Sequence, residues 1–169
     1  DPLVTIVASD NPMSTISTAS LALALTGEVQ NWAEIGGPDM PLVLHGLAED
    51  ADLNRALAAR LGRKITATVI HDTPADLARA VVRDPWALAV TGGSVVGDAR
   101  VLGLTDSCGF PLLPSPLAVK AEDYPLTLPV YFLTPRRRLP LVARTFLEFL
   151  SQPAAQEAVE AAGLVGRGL

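Results

Sequence analysis

Apolar and polar positions fall in short blocks along the chain, and the blocks change period from one to the next. "LVTIVAS" (3–9) is an unbroken, β-branched apolar run, the pattern of a buried strand. "DNPMS" breaks it with turn formers. "STASLALALTG" (17–27) fits a helix with Ser17 as N-cap and Gly27 at its end. "NWAEIGGPDM" reads as a Gly/Pro loop holding Trp32, and "PLVLHG" as a strand. A polar loop follows, then "LNRALAARL" at helical spacing, which Asp50 or Asp52 is placed to cap and Gly62 to stop. "KITATVIH" (64–71) alternates like a strand. The next helix opens with Thr73-Pro74-Ala75-Asp76, a cap, a proline at the first helical position and an acid three residues after the cap. It runs to about Arg83 and Pro85 closes it. "ALAVTGG" is a strand entering a glycine turn, "RVLGLT" another strand, and 109–125 a proline-rich loop. "LPVYFLT" reads as a strand, and "LPLVARTFLEFLS" and "PAAQEAVEAAG" as helices. Strands alternating with helices predict a mixed α/β layered fold.

Composition narrows the partners. Of 169 residues, 49% are apolar and 18% charged, which places the chain among globular proteins. A net charge of -5 without a long basic run argues against nucleic acid, whose phosphates need clustered Lys and Arg. The one basic cluster, Arg136-Arg137-Arg138, reads as a solvated turn between a strand and a helix. A single cysteine, Cys108, permits no internal disulfide and no paired-thiolate zinc site, and beside a glycine it reads as a small buried filler. No segment has the pattern of a signal peptide or a membrane span.

A search for chemistry finds little. Gly92-Gly93-Ser94 lacks the glycine two residues after the serine that a nucleophile elbow needs, so a plain glycine turn is the reading. Neither phosphate-binding glycine loop occurs. His45 and His71 follow strands and read as structural or rim residues. His71 and Asp72 are sequence neighbours whose side chains would point to opposite faces of a strand. Asp50-x-Asp52-x-Asn54 opens like a calcium loop, but Arg55 stands where the sharp turn needs glycine and Leu61 where the bidentate glutamate belongs. The acids read more simply as first-turn charges that favour the helix dipole. No cofactor or metal is expected.

Several colinear segments carry a resemblance. "DNPMSTIS" followed by "LTGEVQNWAEIGGPDMPLVLHG", then "RDPWALAVTGGS", "PSPLAVKAEDYPLTLPVYFLTP" and "FLEFLSQPAAQEAVEAAGLVG" together resemble the periplasmic phosphate-binding proteins of ABC transporters. Asn31-Trp32 with Gly36-Gly37, and Tyr124-Pro125-Leu126, are the most specific pieces. The "VKAEDYPL" form, with Cys108-Gly109 upstream, most resembles a branch fused to an outer-membrane-protein-A-like domain. The resemblance implies a type II periplasmic-binding-protein-like lobe, a mixed sheet flanked by helices. Residues 1–9 would hold the first crossing strand and 10–125 the second lobe. Residues 126–169 would hold the second crossing strand (about 127–133) and two helices of the first lobe, whose N-terminal half is absent here. It also implies a periplasmic location and a transporter permease or cell-envelope protein as partner. The last two helices need some surface to cover them, and a homo-oligomer through them is one expectation.

At one loop the chain departs from that family. There an arginine and then Ser-Gly-Thr at a helix start hold phosphate. Here Leu47 stands for the arginine and Ala51-Asp52-Leu53 for Ser-Gly-Thr, with Glu49, Asp50 and Asp52 close by. A charge-assisted fork and two hydroxyl donors are gone. A like-charge surface pair at 4 Å costs about 4 kcal/mol at intermediate dielectric. Arg55 lies beyond the cap and is expected to pair across the helix. The expected function is therefore an extracytoplasmic solute-binding domain whose ligand is changed or lost. Its contacts are expected at Ser9, Asp10, Asn11, Asp50, Ala51, Asp52, Leu53, Thr91 and Gly92, for a small molecule or an anion. The alternative is a non-binding envelope scaffold that reuses the fold. An enzyme is the third reading, disfavoured because no nucleophile, base and orienting group can be assembled.

Overall fold

The computed structural model describes residues 1–135 and 138–166. Arg136 and Arg137, and with them the reading of the basic cluster, lie outside the described residues. Arg138 is exposed.

β1 (Leu3–Val7) is the centre of the molecule, with all five residues buried. It runs antiparallel to β5 (Ala87–Gly92) on one side and β6 (Arg100–Thr105) on the other. Beyond β5 lie β3 (Val43–Leu47) and β4 (Val69–His71), both parallel to it; beyond β6 lie β2 (Thr15–Ser17) and the short β7 (Pro111–Leu112). The result is one mixed sheet in the order β2-β6-β1-β5-β3-β4, with β7 on β6.

Helices explain the unbroken apolar runs of β1 and β5. A strand covered on both faces needs no polar alternation. The unit β3–α2–β4, with α2 at Asp52–Leu61, steps outward to the sheet edge. The unit β4–α3–β5, with α3 at Pro74–Arg83, steps back across β3. Right-handed crossovers in opposite directions put α2 and α3 on opposite faces. α1 (Thr18–Leu25) lies beside α2, and Leu21, Leu25, Leu57 and Leu126 meet there. Trp32, in a 3₁₀ turn spanning Trp32–Ile35, is fully buried, and its Nε1–H donates to the Trp86 carbonyl at 3.0 Å. That turn is a capping box: Asn31 takes a backbone N–H of the turn while Glu34 takes the Asn31 N–H.

Several elements differ from the sequence reading. Only Val69–His71 of "KITATVIH" forms strand: the Thr68 N–H still reaches the Leu44 carbonyl of β3, but the Thr66 N–H is drawn to the Leu25 carbonyl at the end of α1. The 109–125 loop contains β7 and a helix, α4 (Pro116–Lys120), capped by Ser115 with Pro116 at its first position. Neither Asp50 nor Asp52 caps α2: the N-cap is Ala51, which offers no side-chain acceptor. "LPVYFLT" forms no strand. Thr127 bridges Pro2, after which Val130, Tyr131, Phe132 and Leu133 run on exposed. Cys108 is exposed, because the Asp106 carboxylate takes the N–H groups of Cys108 and Phe110 and holds that turn out in solvent.

The two last helices form where the pattern places them, α5 at Leu141–Leu150 and α6 at Pro153–Ala161. No residue of α5 is buried. The hairpin is tied to the sheet at Gly163. Its φ of 78° caps α6, and a Cβ there would come within 2.8 Å of the Ser94 backbone.

Candidate functional site

Strand direction gathers most of the chemistry-bearing segments at one edge of the sheet. Leu3 pairs with Gly92, so the start of β1 lies beside the end of β5. Leu47 pairs with His71, so β3 and β4 end together. Ser17 pairs with Thr105, which adds the end of β6 and the start of α1. The N-termini of α1, α2 and α3 therefore open on this edge, as does the glycine turn Gly92–Ser94. The chain also leaves the sheet here, since Thr127 bridges Pro2. Ligands of open α/β sheets bind at such carboxyl edges.

The three helix starts are not equivalent. Ser17 accepts the Ser20 N–H at the start of α1, and Thr73 accepts the Asp76 N–H at the start of α3. α2 alone begins without a side-chain cap, so its first N–H groups are unclaimed by any side chain. Three carboxylates belong to this loop and first turn, those of Glu49, Asp50 and Asp52. Asp52 pairs with Arg55 along the helix, as expected for that arginine, and Glu49 pairs with Lys64 at 2.8 Å. Asp50 forms no ion pair among the described residues. The loop is anchored from below by Asn54, whose amide donates to the Leu47 carbonyl at 2.7 Å and the Ala48 carbonyl at 3.1 Å. Along the flank of α2 an open groove of about 350 Å³ is lined by Asn54, Arg55, Arg63 and Lys64, with Glu49 beside them.

Of the nine expected contact residues, six lie at this edge. Asp50 and Asp52 are exposed and Ala51 half-buried; Leu53 and Gly92 are buried. Thr91 is 1% exposed, and its hydroxyl is buried without a partner, so it faces the interior rather than solvent. Ser9, Asp10 and Asn11 lie at the other end of β1, about 17 Å away along a five-residue strand. There Asn11 donates to the Pro85 carbonyl, and Arg100 donates to the carbonyls of Asn11 and Met13. Asn11 is held in place at the opposite edge, Ser9 and Asp10 are exposed there, and the three are not brought together with the others. The sequence shows a strand at 3–9 but not its direction relative to β3 and β5, and direction decides which end faces the mouth.

The structure also shows side-chain contacts that the linear pattern does not, one at the mouth and one running from β4 back toward the start of β5. The Ser94 hydroxyl donates to the Asp1 carboxylate at 2.7 Å across the glycine turn. His45 and His71 meet side by side, Nδ1 to Nε2 at 2.9 Å, with Asp84 behind His45 at 3.5 Å. Burial, and after it the neighbouring His71, pushes the His45 pKa down, while Asp84 opposes the shift. Parallel pairing of β3 with β4 creates this cluster, and nothing in the spacing of 45, 71 and 84 shows it.

No protein-family model and no curated protein matches the sequence. Solved structures do match. A protein described as a phosphate ABC transporter substrate-binding protein, with bound phosphate, from Clostridium perfringens superposes with a TM-score of 0.82 at 22% identity, over 98% of this chain and 68% of that one. The chain has the fold of the phosphate-binding proteins of ABC transporters. An ABC-type phosphate transport receptor from Vibrio cholerae gives 0.71 at 14% identity, over 98% of this chain and 69% of that one. PstS from Borrelia burgdorferi gives 0.69 at 17%, with the same coverage. About a third of each of these neighbours lies outside the match. Among the described residues, no cluster of three or more His, Cys, Asp or Glu could hold a metal ion, and no helix is long and apolar enough to cross a membrane.

Proposed function

We propose that this chain is the ligand-binding lobe of an extracytoplasmic solute-binding protein, working with an ABC-transporter permease or a related envelope partner, and that it takes a ligand other than phosphate. The observation that carries the reading is the start of α2. It is the one helix start at the mouth left without a side-chain cap, and its loop and first turn carry Glu49, Asp50 and Asp52, of which Asp50 has no ion pair among the described residues. Open N–H groups suit an acceptor on the ligand, while the carboxylates suit hydroxyl or ammonium donors and repel a dianion. A polyol, a sugar or an amino compound meets both demands. On this reading residues 10–125 form the lobe, residues 1–9 and about 127–133 cross to a second lobe, and α5 and α6 belong to that lobe. The neighbours' unmatched third is the size of segment that would complete it. The mouth performs no catalysis in this reading.

A thermal-shift and calorimetric screen tests it, using phosphate, sulfate, sugars, polyols, amino acids and divalent cations at pH 7.5. Stabilisation by a neutral or amino-bearing solute is expected, with none from phosphate. Micromolar phosphate binding by the unaltered protein would sink the reading. So would a screen in which the hit is unaffected by Glu49→Gln/Asp50→Asn/Asp52→Asn.

A second reading, a non-binding envelope scaffold, is favoured by one observation: α5 and Val130–Leu133 leave a large apolar surface uncovered. It predicts that no solute stabilises the chain and that an envelope protein does.

A further inference from the structure

One polar chain inside the lobe is left unused by the ligand reading. His45 lies in β3 and is 7% exposed. It pairs with Val69, two residues before His71, so both imidazoles stand on the same face of the sheet. The rings stack with centroids 5.1 Å apart and 20° between planes, and Nδ1 of His45 is 2.9 Å from Nε2 of His71. On its other side, Nε2 of His45 faces Asp84 Oδ2 at 3.5 Å; Asp84 is the C-cap of α3. From the first turn of α3, Asp76 also senses the charge on His71, though Thr73 and Arg79 hold it.

Proton counting orders this chain. A neutral imidazole has one N–H. With that hydrogen on Nδ1 of His45, Nε2 would turn a lone pair toward a carboxylate. With it on Nε2, the hydrogen points at Asp84, and Nδ1 accepts from the Nε2–H of His71. The second arrangement pairs Nδ1 and turns the Nε2 hydrogen, which has no partner within hydrogen-bond geometry, toward the Asp84 carboxylate. One extra proton on the pair keeps a single hydrogen between the rings. With two extra protons both facing nitrogens carry N–H, donor meets donor at 2.9 Å, and two imidazolium charges lie 5.1 Å apart.

We propose that Asp84–His45–His71 is an acid-sensitive latch that clamps β3 to β4 and opens when both histidines are protonated. Its mechanical consequence follows from connectivity. Two and three residues beyond His45, the carbonyls of Leu47 and Ala48 are held by Asn54 of α2, so the end of β3 carries the start of that helix. Opening the latch loosens Ala48–Ala51 and α2 together. A consequence for ligand release rests on the proposed function; the latch itself does not, and its test uses no ligand.

Hydrogen exchange of the whole chain, corrected for intrinsic rates, is compared between pH 7.5 and 4.5. Protection in 45–54 and 69–71 is expected to fall by about tenfold or more, while the central amides of Ile6 and Ala89 stay protected. His71→Phe keeps a stacked ring but no nitrogen, and is expected to show low protection at both pH values. Asp84→Asn removes the carboxylate that favours imidazolium and moves the step to lower pH. Imidazole nitrogen spectra at pH 7.5 are expected to show His45 protonated on Nε2. Protection independent of pH, a step unchanged in His71→Phe, or His45 protonated on Nδ1 would each overturn the proposal. Should His71→Phe fail to fold, Asp84→Asn and the tautomer still decide it.

Discussion

Tyr124 shows how one side chain can hold a whole return segment. Its ring is buried, its hydroxyl donates to the Leu3 carbonyl at 2.7 Å, and the neighbouring Leu126 carbonyl takes the Leu3 N–H. Tyr124→Phe removes only the oxygen and leaves the Leu3 carbonyl short of that donor, which costs about 1 kcal/mol of stability in urea unfolding. Burial raises the phenol pKa to about 12. Between the unfolded value near 10 and that folded value the unfolded chain loses the proton first, so stability falls as pH rises through this window. Tyr124→Phe should remove that alkaline component. His45 works in the opposite range. Its folded pKa lies below the unfolded value of 6.5, mainly through burial, so as pH falls below 6.5 the unfolded state takes up the proton first. Stability contributed by neutral His45 is present above 6.5 and is lost as pH drops through the folded value. Urea midpoints measured from pH 7.5 downward should fall in wild type and fall less in His45→Gln. Asp76 and Glu28, whose pKa values are lowered chiefly by hydrogen bonds from Thr73 and Thr26, lose their contributions only below the ordinary carboxylate range.

At the scale of elements, α2 and α3 are a matched pair. Each spans ten residues, each leaves a parallel strand at the same edge, and they differ in the first residue of the motif. Thr73 accepts the Asp76 N–H; Ala51 accepts nothing through its side chain. Thr73→Ala should cost about 1 kcal/mol, and Ala51→Ser should gain a comparable but smaller amount, read as shifts in urea midpoint at constant slope. If the open start of α2 is a ligand seat, Ala51→Ser also weakens the solute found by screening, because the serine oxygen competes for the same N–H. The contrast also shows what the sequence exposes. Thr73-Pro74-Ala75-Asp76 is a local motif, and local chemistry alone decides it. So do Ser17 and Gly62, and the strands whose β-branched runs are buried on both faces. β2 and β7 were not legible because each is short and exists by pairing with β6; α4 is a five-residue helix inside a proline-rich run, and its Ser115-Pro116 start is a local motif of the same kind as Thr73-Pro74. The candidate site divides in the same way. Residues 50–53 and 91–92 were legible as loop ends, whereas Ser9–Asn11 lie at the other edge from them because an antiparallel β1 reverses a chain that the linear pattern cannot orient.

Over the whole molecule, the distribution of apolar surface is uneven in a way that single elements do not show. The sheet and α1–α3 close over a continuous core running from Leu3 through Trp32 to Leu104. The chain beyond Leu128 does not share it. Val130, Tyr131, Phe132 and Leu133 all face solvent, although successive side chains of an extended segment point to opposite sides. Such a segment has the composition of a central strand with neither face covered. α5 beside it exposes Leu141, Val142, Phe146 and Phe149, and the edge-on contact of Phe132 with Phe146 joins the two into one patch. A patch of this kind is an interface or an aggregation liability. Its residues contribute little to the fold of the chain itself, which gives a sharp expectation. Leu141→Gln/Val142→Thr/Phe146→Ser should leave the urea unfolding free energy within about 0.5 kcal/mol of wild type, since substitutions away from packed positions act at that level. The same variant should bind less hydrophobic dye and sediment more nearly as a monomer. A loss of several kcal/mol would mean that α5 is packed in solution against something these contacts do not contain, a second copy being the first to test by sedimentation at two concentrations. Neutral stability with reduced self-association would instead mark the patch as a face built for another segment, and the same three substitutions would then weaken its binding.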